Sequence, residues 1–235
     1  MSETFLITGA NRGIGLALTQ ALLGQGDKVF AACRQPQKAE ALLALKKTHA
    51  QALELIAMEA DSDKSVVAAA KEIAKKTDHL DLLYNNAGIS PPPFDAPLDK
   101  VEISKMKEAF EVNTLGPLRI SQAFLPLLKK AANPRIINMT SGLASLSGKS
   151  EGHFYAYGIS KAALNMLTRT MAFDLQKDKI TVVCLDPGWV KTDMGGPNAQ
   201  LKPEESALAI VKTIKGLTLQ RTGAFLYNDG KELKW

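Results

Sequence analysis

Seven short apolar runs recur along the chain: FLIT (5–8), KVFAAC (28–33), LELIAM (53–58), LDLLYN (80–85), RIINM (135–139), ITVVCL (180–185) and AFLYN (224–228). Their apolarity is continuous rather than alternating, which marks strands buried on both faces and hence a parallel sheet covered by helices. Between the runs the spacing becomes helical. Leu164, Leu167, Met171 and Leu175 step at i, i+3, i+7 and i+11, and Leu208, Val211 and Ile214 repeat the three-residue step behind Pro203, a residue suited to a first helical turn. This alternation predicts one α/β domain over residues 1–235, a doubly wound Rossmann fold with a seven-stranded parallel sheet and helices on both faces.

Two segments break the rhythm, GISPPPFDAPLDK (88–100) and GWVKTDMGGPNAQLKPE (188–204), and both begin just past the C-terminal end of a predicted strand. Ligands of open α/β sheets bind at that edge, so these are the expected substrate loops.

Composition narrows the partners. The net charge of +5 comes from lysines scattered through helical segments rather than gathered with aromatics, which argues against nucleic acid. No apolar stretch reaches the roughly 18 residues of a membrane helix, and the start MSETFLITGANRG has neither a basic n-region nor a cleavage site, so a cytoplasmic location is expected. Cys33 and Cys184 lie inside strand-like runs as buried thiols, with no disulfide and no metal site expected.

The first strand runs directly into TGANRGIG (8–15) and a helix. Gly9, Gly13 and Gly15 are spaced GxxxGxG, which serves a tight turn, close backbone approach to a pyrophosphate, and amides at a helix N-terminus facing negative charge. The second strand ends in CRQPQK, with Arg34 and no carboxylate before Glu40. A guanidinium there, joined by Arg12, suits a 2′-phosphate, whereas an acidic side chain would suit a 2′-hydroxyl. NADP(H) is therefore the expected cofactor, with NAD(H) the second option.

The stretch HFYAYGISKAAL (153–164) holds two of the chain's 4 tyrosines. On a helix Tyr157 and Lys161, at i and i+4, share a face, while Tyr155 has Ile159 in that position. A cation beside a phenol favours the phenolate and lowers its pKa, which equips Tyr157 for proton transfer at a carbonyl undergoing reduction. NMTSG (138–142) brings the hydroxyls of Thr140 and Ser141 to the same sheet edge, and NNAG (85–88) closes another strand there. Asn113, in the predicted helix AFEVNTLG, is a poor helix former that calls for an explanation.

With TGANRGIG, NNAG, Asn113, Ser141, YGISK and DPGWVKT in this order, the chain resembles the short-chain dehydrogenase/reductase family over nearly its whole length, and most of all its C-factor and carbonyl-reductase-like branch. The resemblance implies a tetrad: Tyr157 as general acid/base, Lys161 lowering its pKa and holding the nicotinamide ribose, Ser141 orienting the carbonyl, and Asn113 supporting a water-linked proton path. It implies cofactor contacts at Gly9, Asn11, Arg12, Gly13, Ile14, Gly15 and Arg34, and an adenine contact at Asp61 and Ser62. Asn86, Ala87 and Gly88 would lie on the adenosine side, and Pro187, Gly188, Val190 and Thr192 around the nicotinamide.

Ile89 to Phe94, Ser141, Leu143, His153, Phe154, Trp189 and Met194 are the candidate pocket residues, mostly apolar, which favours a hydrophobic or aromatic carbonyl compound. Ser141 precedes Tyr157 by 16 residues, more than is common in the family, and the segment after DPGWVKT is short, implying little lid. The expected function is NADPH-dependent carbonyl reduction, or alcohol oxidation in reverse. The alternatives are an NADP(H)-binding sensor of the C-factor type without turnover and, less favoured, an epimerase or dehydratase, which generally has a larger C-terminal portion. Family members pair through the helix carrying the Tyr-Lys motif, so a homodimer or homotetramer is compatible with apolar outer positions in 161–175.

Overall fold

The computed structural model describes residues 2–235. Its strands are β1 (Thr4–Thr8), β2 (Lys28–Cys33), β3 (Leu53–Ala57), β4 (Leu82–Asn85), β5 (Arg135–Met139), β6 (Thr181–Asp186) and β7 (Phe225–Tyr227). They form one seven-stranded sheet in the order β3-β2-β1-β4-β5-β6-β7, every pairing parallel. The helices are α1 (Gly13–Gly24), α2 (Glu40–Thr48), α3 (Asp63–Ala74), α4 (Ile103–Phe110), α5 (Gly116–Leu128), α6 (Tyr155–Asp174) and α7 (Pro203–Lys215). Among the described residues no helix is long and apolar enough to cross a membrane.

The two faces of β1 show why the strand runs do not alternate. Phe5 and Ile7 pack with Leu18 and Leu22 of α1 and Val211 and Ile214 of α7, while Leu6 packs on the opposite side with Phe30, Ile73 of α3 and Phe124 of α5. Each face has its own helical cover, so apolar residues fall on both faces of the strand rather than on one. On α6, Leu164 and Met171 face the sheet and are buried, whereas Met166 and Phe173 stand outward and exposed. Cys33 and Cys184 are buried free thiols.

One predicted helix is interrupted. The segment AFEVNTLG spans the end of α4, a wide π turn at Glu111–Leu115 and the start of α5. In a regular helix the carbonyl of Asn113 would accept from residue 117, which is proline and has no N–H to give. The chain widens by one residue where that bond is missing, a recurrent response at functional sites.

The strand order reverses between β1 and β4, which places a ligand crevice at the C-terminal ends of these two strands. At the far end of the sheet His79 lies between two carboxylates, its Nδ1 2.7 Å from Asp78 Oδ1 and its Nε2 3.3 Å from Asp81 Oδ2. The hydrogen bond to Asp78 is the main cause of a raised imidazole pKa. A pKa raised by folding stabilises the native state below the unfolded value of about 6.5, and the contribution disappears as pH rises through the folded value. Thermal melts should therefore show His79→Ala lowering Tm more near pH 5 than near pH 8.5, by a difference of only about 1–2 °C because Asp78 is exposed.

Candidate active site

The turn after β1 is built around its glycines. Gly9 and Gly13 adopt positive φ values of 63° and 53°. A Cβ on Gly15 would sit 2.4 Å from the Gly9 carbonyl oxygen and 2.6 Å from Asn86 Nδ2, so no side chain fits there. The amide of Asn86 donates to the carbonyls of Thr8 (2.7 Å) and Gly9 (3.1 Å), and the Thr8 hydroxyl accepts from the backbone N–H groups of Asn86 (3.0 Å) and Ala87 (2.9 Å). NNAG thus fastens the end of β4 to the glycine turn. Asn11 is exposed, and Ile14 packs onto the core below α1. The first turn of α1 contains no acidic residue, leaving its amides facing an open edge suited to an anion.

The basic residues divide. Arg34 is exposed just past β2 and forms no ion pair with any described residue, whereas Arg12 pairs with Asp193, both exposed. That pair joins the glycine turn to the loop after β6, where the methyl group of Thr192 would meet a Cβ on Gly13 at 3.1 Å. Asp61 is exposed; Ser62 caps α3, its hydroxyl accepting from Ser65 N–H. Pro187 is held through its carbonyl by Ser206 (2.7 Å) and Asn228 (2.9 Å), and Gly188 (φ 82°) leaves no space for a side chain beside the Tyr227 hydroxyl. Val190 is buried and bridges to Leu201.

Lys161 is 3% exposed and donates from Nζ to the Met139 carbonyl at 2.7 Å, with Nζ 5.7 Å from the centroid of the Tyr157 ring. Ser141, just past β5, starts a tight turn by accepting from Leu143 N–H at 3.2 Å, and its hydroxyl faces the Tyr157 phenol. Asn113 is fully buried; its Oδ1 accepts from Ile89 N–H at 2.8 Å, and its Nδ2 donates to the Ile89 carbonyl (2.8 Å) and to Ser160 Oγ (3.0 Å). Ser160 in turn donates to the carbonyl of Tyr157 at 2.7 Å, so Asn113 fixes both the 88–100 loop and the first turn of α6. A Cβ on Gly88 would lie 3.1 Å from Asn113 Oδ1 and 3.4 Å from Lys161 Nζ.

Three expectations are corrected. Thr140 is not at the open edge: its hydroxyl is buried and donates to Asn165 Oδ1 at 2.7 Å. The phenol of Tyr157 is pushed up to about 12, first by burial and then by the carboxylate of Asp186, with the Ser141 hydroxyl pulling in the other direction. Burial also brings Lys161 down to about 8, so the lysine does not supply the simple depression expected from an exposed i, i+4 pair. Finally, Leu143, His153, Phe154, Trp189 and Met194 do not line the cleft beside Tyr157. That shallow cleft, open to solvent, is formed by Ser90 to Phe94, within the expected run Ile89 to Phe94, and by Lys100, Glu102, Lys105, Tyr155 and Ala156. His153 instead places Nδ1 2.8 Å from the Asp95 carbonyl, and the indole of Trp189 donates to the Gly195 carbonyl at 2.8 Å.

Asp186 was missed in the sequence. It ends β6, its Oδ2 accepting from Gly142 N–H and its Oδ1 from Gly188 N–H, each at 2.9 Å. The available signal was a carboxylate before Pro-Gly at the end of a buried strand.

A family model described as short chain dehydrogenase matches residues 3–202. The chain belongs to the short-chain dehydrogenase family. Within it, the chain is 42% identical over 159 residues to C-signal of Myxococcus xanthus, covering 68% of this chain and 95% of that one. Its structure resembles the carbonyl reductase Sniffer of D. melanogaster with a TM-score of 0.95, 37% identity and full coverage of both chains. The NADPH-bound carbonyl reductase from chicken fatty liver gives 0.93 at 38% identity, over 100% of this chain and 99% of that one. These relatives place the chain in the carbonyl-reductase-like branch of an oxidoreductase family.

Proposed function

We propose that the protein is an NADPH-dependent carbonyl reductase acting on small hydrophobic carbonyl compounds, with Tyr157 as the proton donor. The observation that carries this reading is the convergence of Ser141, Tyr157 and Lys161 at the sheet edge that also holds the glycine turn. The residues present suit a dinucleotide: a glycine turn with no room for a Cβ at Gly15, open α1 amides, and Arg34 free of ion pairs among the described residues beside the end of β2. Two solved carbonyl reductases that the chain resembles are described as binding NADPH or NADP. Bound there, the nicotinamide supplies the hydride that reduces a carbonyl carbon.

The chain's own residues do the remainder. The hydroxyls of Ser141 and Tyr157 face one another, so one carbonyl oxygen can accept from both. With its pKa near 12, Tyr157 carries its proton at neutral pH, the form needed to protonate the oxygen as it gains negative charge. Lys161, near 8, is the adjacent group that exchanges protons in the working range. The Asn113 carbonyl, lacking its helical donor because of Pro117, is an acceptor suited to a water that resupplies that lysine.

A second reading, an NADP(H)-binding signalling protein, is favoured by the 42% identity to C-signal. Binding alone, however, has no need of a phenol, hydroxyl and buried lysine arranged together. NADPH and NADH oxidation by the purified protein across aromatic aldehydes, ketones, diketones and quinones separates the two: turnover supports the reductase, and tight binding without turnover on any compound supports the sensor. In the same assays Arg34→Ala should weaken NADPH roughly tenfold or more while changing NADH by no more than about threefold. Equal losses would remove Arg34 from the 2′-phosphate.

A further inference from the structure

Beyond β7 the chain turns back on itself. Gly230 N–H donates to the Tyr227 carbonyl at 2.9 Å, and residues 231–233 then return antiparallel along the strand, with Tyr227 N–H donating to the Lys231 carbonyl and Leu233 N–H to the Phe225 carbonyl, each at 2.8 Å. Residues 234–235 leave the sheet and meet the loop that follows Ser141. The Lys234 carbonyl accepts from the Ser145 hydroxyl at 2.7 Å, and the Trp235 carbonyl accepts from the Ser147 N–H at 2.8 Å and from the Ser147 hydroxyl. Ser145 Oγ also accepts from Gly148 N–H at 3.0 Å, which closes the turn that the two carbonyls grip. The indole of Trp235 is the anchor of this strap. Its ring centroid lies 5.3 Å from that of Phe225 in β7 and 5.3 Å from the guanidinium carbon of Arg169 in α6, and Arg169 is itself held by the Gly223 carbonyl at 3.1 Å.

The gripped loop is the one that begins at Ser141. Its start is fixed by Gly142 N–H donating to Asp186 at 2.9 Å and by the buried Ala144. Past that point the chain is exposed at Leu146, Ser147 and Gly148, and among the described residues the hydrogen bonds that Ser145 and Ser147 make outside the loop go to Lys234 and Trp235. The same loop accounts for the 16-residue separation of Ser141 from Tyr157, and a long exposed segment keeps one conformation only where something ties it down. We propose that Trp235 is a positioning residue of the active site: its ring, seated on Phe225 and Arg169, holds residues 234–235 against the 145–148 turn and so fixes where the Ser141 hydroxyl meets the carbonyl. The inference rests on the reading of Ser141 as the group that orients the carbonyl.

The test is a double-mutant cycle between Trp235→Ala and Ser141→Ala, read as single-turnover hydride transfer from NADPH to an aromatic aldehyde with enzyme in excess, so that the slow Ser141→Ala background is still measured. Trp235→Ala should lower the rate about tenfold while leaving the Kd for NADPH within about twofold of wild type. In the Ser141→Ala background the same substitution should change the rate by less than about twofold, because the group it positions is gone. Trp235→Phe, which keeps a ring on Phe225 and Arg169, should restore the rate to within about threefold of wild type. If Trp235→Ala does not fold, Ser145→Ala, which removes the hydroxyl bonded to the Lys234 carbonyl, takes its place in the cycle. A tenfold loss that persists undiminished without the Ser141 hydroxyl, or a full rate in Trp235→Ala, overturns this inference and leaves the reductase reading standing. A wild type that transfers no hydride to any carbonyl refutes both.

Discussion

Tyr157→Phe should lower carbonyl turnover by at least ~10²-fold while leaving NADPH affinity within about threefold, the signature of a lost general acid rather than a lost binding contact. The phenol faces Ser141 and lies within 5.7 Å of the Lys161 ammonium, measured to the ring centroid. Phenylalanine keeps that ring and its packing in the first turn of α6 but offers no proton. Neither Ser141 nor Lys161 replaces it: the Ser141 hydroxyl is a far weaker acid, and Lys161 is held at the Met139 carbonyl, 2.7 Å away. Steady-state rates together with a fluorescence titration of NADPH check both halves of the expectation. Unchanged turnover would remove Tyr157 from the mechanism, and a parallel loss of affinity would give it a binding role.

Gly15→Ala should reduce NADPH affinity by about 100-fold or more and lower Tm by several degrees. The added methyl group would meet the Gly9 carbonyl oxygen at 2.4 Å and the Asn86 amide at 2.6 Å. The first is backbone in a turn already at positive φ, and the second is locked by its bonds to Thr8 and Gly9, so neither can yield cheaply. Relief requires the glycine turn to separate from the end of β4, which opens the cradle meant for phosphate. Gly24→Ala is the control. At the other end of α1 a Cβ meets nothing within 4 Å, so that variant should bind and melt like wild type. Calorimetric titration and thermal melts of the two variants decide it; full affinity in Gly15→Ala would show that the cradle is not where the dinucleotide lies.

Much of this architecture could be read from the chain because its signals are local. The runs KVFAAC and RIINM coincide with β2 and β5, since strands covered on both faces carry apolar residues at successive positions, a signal confined to the strand itself. Tyr157 and Lys161 were found through one helical spacing, and the glycine turn through its place after the first strand. What escaped depends on distant residues. Arg12 finds Asp193 181 positions away, Asp186 reaches back to Gly142, and the rise in the Tyr157 pKa follows from enclosure that no i, i+4 rule contains. Of the expected pocket residues, Ser90 to Phe94 line the cleft beside Tyr157, whereas His153 and Trp189 are engaged with the backbone carbonyls of Asp95 and Gly195, partners that no local spacing announces. The π turn was within reach: Asn113 four residues before Pro117 announces a carbonyl without a donor.

The most direct measurement is the fate of the hydride. Incubating the purified protein with an aromatic aldehyde and NADPH carrying deuterium in place of both hydrogens at the nicotinamide C4, followed by mass spectrometry and NMR of the product, tests whether reduction occurs by transfer within this site. The account predicts an alcohol with deuterium on the carbinol carbon, formed stereospecifically by wild type and at least ~10²-fold more slowly by Tyr157→Phe. An unlabelled alcohol, equal labelling by the variant, or bound NADPH with no product from any carbonyl offered would contradict it.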